Sequence, residues 1–139
     1  MKNYYKEYSK YKEKYVQLKS KNMYEKHLSE PWYTLIEKGI KTVEGRPNKG
    51  DFKNMKIGDI ITFFNINKET KIRKEFKVKI INKKIYKSFY SMIDNEGIDK
   101  ILPDPNIKSV KDGVNVYRQW YSNEIEKKYG VVAIHIKLI

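Results

Sequence analysis

The C-terminal segment constrains this chain more than any other stretch. Val132, Ile134, Ile136 and Leu138 alternate with Ala133, His135 and Lys137. A period of two places these sets on opposite faces of a strand, and an apolar face of that length must be buried. A second segment follows the same rule. Between Arg73 and Ile81, Phe76, Val78 and Ile80 alternate with Lys77 and Lys79, giving a half-buried strand with a lysine-studded outer face. A third run, Ile60-Ile61-Thr62-Phe63-Phe64, follows a turn at Lys56-Ile57-Gly58-Asp59 and reads as a buried strand. Asn65 to Thr70 supplies a polar hairpin connection, and Pro47 to Asp51 reads as a loop.

Short helices separate these strands. Ser29 suits a helix cap, Pro31 its first turn and Gly39 its end, with Trp32, Leu35 and Ile36 facing inward. A second helix starts near Ser88, buries Phe89, Met92 and Ile93, and stops at Gly97. Leu102-Pro103-Asp104-Pro105 is an irregular link. A third helix starts at Ser109, with Asp112 three residues on as in a capping box, and carries the stripe Val110, Val114, Tyr117 and Tyr121. Strands with interspersed helices, mostly outside βαβ units, predict an α+β fold: a small mixed β-barrel flanked by short helices. Residues 25–139 form that domain. Residues 1–24 form a separate basic extension, because Tyr4, Tyr8, Tyr11, Tyr15 and Leu18 fall on one helical stripe with lysines on the other faces. Such a stripe fits a helix packed on the domain, or a basic arm whose tyrosines stack on RNA.

Composition narrows the function classes. No apolar run reaches the roughly 20 residues of a membrane span, and no apolar stretch follows the basic N-terminus as in a secretory signal. An intracellular protein with no membrane partner is the expectation. Cysteine is absent and there are only two histidines, His27 and His135, so neither a metal site nor thiolate chemistry is expected. No glycine-rich phosphate loop is present, and no cofactor is expected. The formal net charge is +13. That balance suits a polyanionic partner, most often nucleic acid. Nearly all of it is lysine, the arginines being Arg46, Arg73 and Arg118, and lysine attracts phosphate diffusely where arginine reads bases. The abundance of Lys, Asn, Ile and Tyr also matches the codon bias of an AT-rich genome, so part of the charge carries no functional meaning.

Gly39-Ile40-Lys41-Thr42-Val43-Glu44-Gly45-Arg46 resembles the hallmark Gly-x-Lys-x-x-Glu-x-Arg of the ASCH family. His27-Leu28 and Glu30-Pro31-Trp32-Tyr33 are similar to that family's opening strand and helix. Ile57-Gly58-Asp59-Ile60-Ile61 and Tyr129 to Ile134 are similar to its later strands. The resemblance implies a PUA-like β-barrel, a cleft lined by the hallmark residues, and a role near RNA or modified nucleosides. Some members of the family bind RNA, and others are amidohydrolases that deacetylate acetylated cytidine. In those relatives catalysis falls to a lysine, a threonine three residues later and a distant glutamate. Lys41 matches the lysine, Glu44 stands where the threonine would be, and Glu96 is the counterpart of the distant glutamate.

A regular strand would put Glu44 and Arg46 on one face and Lys41 on the other. Lys41 joins them only from the turn after Gly39, or through a bulge at Gly45. Trp32, Tyr33, Tyr117, Trp120 and Tyr121 offer aromatic faces for a base, and His27 lies near the motif. Lys77, Lys79, Lys83 and Lys84 form a basic face suited to a phosphate backbone or simply to water. The leading expectation is an RNA- or nucleoside-binding domain whose ligand meets Lys41, Glu44, Arg46, Trp32, Tyr33, His27 and Tyr117. The alternatives are a metal-independent amidohydrolase using Lys41, Glu44 and Glu96, and a protein-interaction module using the N-terminal helix. Oligomeric state is not legible.

Overall fold

The computed structural model describes residues 22–139. Five strands form one mixed sheet: β1 (Met23–His27), β2 (Val43–Pro47), β3 (Ile60–Ile66), β4 (Arg73–Tyr86) and β5 (Val131–Leu138). Their spatial order is β1-β3-β4-β5-β2. The β1–β3 pair is parallel and every other pair is antiparallel. Six helices accompany them: α1 (Trp32–Glu37), α2 (Gly50–Asn54), α3 (Phe89–Glu96), α4 (Ile98–Ile101), α5 (Val110–Arg118) and α6 (Asn123–Tyr129). The sheet curls into a half-barrel, as an α+β barrel-type fold requires.

The buried set is the one that strand periodicity selects, except at the end of β5, where Leu138 stays exposed. Ile61, Phe63, Val78, Ile80, Ile134 and Ile136 pack against Tyr33 and Ile36 of α1 and Phe89, Met92 and Ile93 of α3. Each such side chain stabilises the fold by about 1.5–3 kcal/mol through lost contact with water. Val131 to Ile134 are buried without alternation. The first half of β5 is therefore covered on both faces.

Several boundaries differ from the sequence reading. Strand β4 does not stop at Ile81. A bulge between Ile80 and Asn82 lets it continue to Tyr86 alongside β5. The segment after Pro47 is not all loop: Pro47 still pairs with Val131, and α2 begins at Gly50. Helix α1 is not capped by Ser29. Pro31 occupies the cap, and the Glu30 carboxylate accepts from the Thr34 amide at 2.8 Å and from its hydroxyl. Helices α4 and α6 carry too few apolar residues for periodicity to reveal them. The expected helix over residues 1–24 lies outside the described residues except at its end. There, Met23 and Tyr24 belong to β1, so the sheet begins before residue 25.

The two sheet edges, β1 and β2, approach one another where the half-barrel stays open. No ladder joins them. Instead, the Arg46 guanidinium on β2 donates to the carbonyl of His27 on β1 at 3.2 Å. This junction lies on the rim of the candidate site.

Candidate functional site

Lys41 is placed by the turn that ends α1. Gly39 takes φ +75°, a conformation that costs glycine nothing and a larger residue about 1 kcal/mol or more. It closes a Schellman turn in which Gly39 N–H donates to Ile36 O at 2.9 Å and Ile40 N–H to Leu35 O at 2.9 Å. The chain is then pinned from both sides. Thr42 N–H donates to Lys100 O at 3.1 Å, and Thr42 O accepts from Ile136 N–H at 3.0 Å. Lys41 consequently sits before β2 rather than in it and swings inward beneath Trp32, its Nζ 5.6 Å from the indole centroid. Of the two routes by which Lys41 could join Glu44 and Arg46, the chain uses the turn.

Lys41 is 2% exposed. Its ammonium donates to Val43 O at 2.5 Å and to Ile101 O, and lies 3.7 Å from Glu44 Oε1. Two of its three protons thus hold backbone carbonyls together, and the third is available toward Glu44 and the cleft. Burial pushes its pKa down to about 8; the Glu44 carboxylate opposes that shift and the Arg46 guanidinium adds to it. Glu44 is held at both oxygens: Oε1 accepts from Gly45 N–H at 3.1 Å, and Oε2 lies 3.4 Å from Arg46 Nη2. Arg46 in turn lies over the Phe52 ring, 4.8 Å from its centroid.

These three residues line one wall of a cleft of about 240 Å³. Tyr117, Trp120 and Tyr121 line the other, and Trp32 and His27 complete the rim. The volume lies below the roughly 300–1,000 Å³ typical of drug-sized pockets, which suits a flat heterocycle. Trp120 is 50% exposed, a large apolar side chain left open at the mouth. Tyr117 is fixed by stacking on Phe89, with centroids 4.5 Å apart and planes 9° apart. Its hydroxyl is buried and has no hydrogen-bond partner. Burial, with the Glu44 carboxylate adding, pushes that hydroxyl's pKa well up, so it stays a proton donor. A buried donor without a partner costs about 1–3 kcal/mol. Of the four unpartnered buried side-chain atoms among the described residues, only that of Tyr117 belongs to a residue lining the cleft.

Not every expected residue comes to this cleft. Tyr33 is fully buried and packs edge-on against Phe76, 4.9 Å away, because α1 points it into the sheet rather than toward the opening. Glu96 is buried at the end of α3, where its Oε1 lies 2.5 Å from His135 Nε2. It is not among the residues lining the cleft, where Lys41 and Glu44 meet. The lysine face of β4 also divides. Lys77 and Lys79 project from the outer face, but Lys83 lies past the bulge and donates to Lys53 O at 2.8 Å and Met55 O at 2.7 Å. It ties down the end of α2. Lys84 is exposed on the opposite side of the strand from Lys83. The unpartnered state of the Tyr117 hydroxyl has no sequence signal, since its stripe with Val110 and Val114 reads as core. The described residues contain no cluster of three or more His, Cys, Asp or Glu suited to a metal. No helix among them is long and apolar enough to cross a membrane.

A curled five-strand half-barrel with an aromatic, charge-lined cleft at its open edge defines a small α+β barrel-type domain. The ASCH domain matches residues 27–139, and the chain belongs to that family. Among solved structures it is similar to the hypothetical protein PH0355 in crystal form, at 43% identity and TM-score 0.72, covering 84% of this chain and 99% of that one. It is also similar to the solution structure of protein PF0455 from Pyrococcus furiosus, at 37% identity and TM-score 0.65, covering 84% and 97%. No curated protein matches the chain in sequence.

Proposed function

We propose that this protein binds RNA or a modified nucleoside by taking one unpaired base into the cleft between β2 and α5. The unpartnered Tyr117 hydroxyl carries this reading. A heterocycle in the cleft offers that hydroxyl an acceptor. Glu44 accepts from ring or exocyclic N–H groups, and the free proton of Lys41 reaches a carbonyl oxygen. Trp120 and Trp32 supply the stacking faces that unpaired bases use. The open mouth admits a base that is splayed out of a strand.

Tyr117→Phe tests this directly. The hydroxyl has no partner in the protein, so its removal is expected to leave the melting temperature unchanged or raised. Loss of a ligand hydrogen bond of about 1.4 kcal/mol weakens binding about tenfold. The measurement is isothermal titration with a nucleoside panel that includes acetylated cytidine, and with single-stranded RNA at low salt. Equal affinities for wild type and Tyr117→Phe would remove the hydroxyl from recognition. Release of free cytidine from the acetylated compound would replace binding with amide hydrolysis.

A further inference from the structure

The surface on either side of the cleft is charged in opposite senses. Beyond Trp32 and Trp120 lies a second groove whose charged lining residues are Glu30, Asp104 and Asp112, with no basic residue among those that line it. A phosphate backbone is repelled there. On the other side, Arg46 and Lys26 both lie over Phe52 of α2, at 4.8 and 5.5 Å from its centroid. The acidic residue on that path, Asp51, is already paired with Lys26 at 2.6 Å.

The path continues. Arg46 and Pro47 pair with Val132 and Val131, and Asn48 N–H donates to Gly130 O at 3.0 Å, so the loop after β2 is fastened to the end of α6. Two lysines flank one aromatic ring at that junction. Lys49 Nζ is 5.5 Å and Lys128 Nζ 5.2 Å from the centroid of Tyr129, which is 37% exposed.

We propose that the Lys49–Tyr129–Lys128 cluster is a second nucleic-acid contact. It receives the strand that leaves the cleft over Phe52 and directs the backbone away from the acidic groove. This inference rests on the cleft reading and extends it. Exposed lysines move freely from a ring face to a phosphate, and a base stacked on Tyr129 gains more than the exposed cation–π contacts it displaces. The outer face of β4, with Lys77 and Lys79, is not on the path.

Fluorescence anisotropy with a labelled single-stranded RNA of roughly ten nucleotides, within the span such small domains cover, separates the two faces. Lys49→Glu/Lys128→Glu and Lys77→Glu/Lys79→Glu change net charge equally, so general attraction cancels between them. The first pair is expected to weaken binding at least about tenfold more than the second, and to lower the salt slope by about two phosphate contacts. Tyr129→Ala is expected to weaken RNA binding several-fold while leaving mononucleoside binding unchanged. If that variant melts abnormally, the surface lysine pairs decide alone. Equal or larger loss from the β4 pair overturns the path and leaves the cleft standing. Nucleoside binding without RNA binding does the same. A wild type that binds neither probe overturns both.

Discussion

Lys41 and Lys77 carry the same ammonium group into opposite circumstances. Lys41 is enclosed beneath Trp32, bonded to two carbonyls, and faces a carboxylate that Arg46 also holds. Lys77 stands on the outer face of β4 in water. The contrast teaches that net charge and site are separate properties of this molecule. Among the described residues, most lysines are solvated and contribute attraction without geometry. The cations proposed to meet a base in the cleft, Lys41 and Arg46, are those the backbone has built around.

Substitution measures that difference. Lys41→Met removes two buried hydrogen bonds and one countercharge of Glu44, so a loss of about 3–5 kcal/mol is expected in denaturant unfolding. Lys77→Ala is expected to stay within about 0.5 kcal/mol of wild type. Comparable effects at both sites would erase the distinction.

Gly45→Ala probes the packing behind the cleft wall. A methyl group there would stand 2.5 Å from Met92 Cε and 2.6 Å from the Tyr117 hydroxyl. Met92 is flexible but fully buried, and the tyrosine is held by Phe89. A cost of about 1–3 kcal/mol is expected, with displacement of Tyr117 visible as changed ring resonances in NMR spectra. A variant with unaltered stability would show that the cleft wall yields easily.

The pH dependence of stability bears on Lys41 alone. The folded pKa of Lys41, about 8, lies below the model-peptide value of 10.5. Below about 8 the ammonium is charged in both states, and the full burial penalty applies. As pH rises from about 8 toward 10.5, the folded form sheds its proton first, so stability rises. Ligand affinity moves the other way as the Lys41 cation disappears. The stability difference between wild type and Lys41→Met across this range isolates the residue, because groups common to both cancel. A flat difference would mean that Lys41 does not titrate there.

Much of the sheet was legible because period-two patterns in β4 and β5 and the apolar run of β3 have one physical solution. Its ends were less so. The bulge at Ile81 breaks the alternation that would extend β4, and α4 and α6 are too short and polar for a stripe. The Gly39-to-Arg46 segment identified one wall of the cleft, since local chain geometry brings Lys41 to Glu44. The aromatic residues of the opposite wall, Tyr117, Trp120 and Tyr121, stand out in the sequence, but which way they face depends on how α5 docks, and a tyrosine on an apolar stripe gives no hint that its hydroxyl lacks a partner. Tyr33 shows the converse: it adjoins Trp32 in sequence, but one step along a helix turns it into the core.

An amide-shift titration of isotope-labelled protein with single-stranded RNA at low salt tests most directly whether the cleft, rather than the lysine surplus, recognises the ligand. The expected result is saturable shifts at Gly45, the Trp32 and Trp120 indole N–H groups and the residues around Tyr117, persisting as salt is raised to moderate levels. Shifts confined to Lys77, Lys79 and their neighbours on β4, fading together with salt, would contradict it.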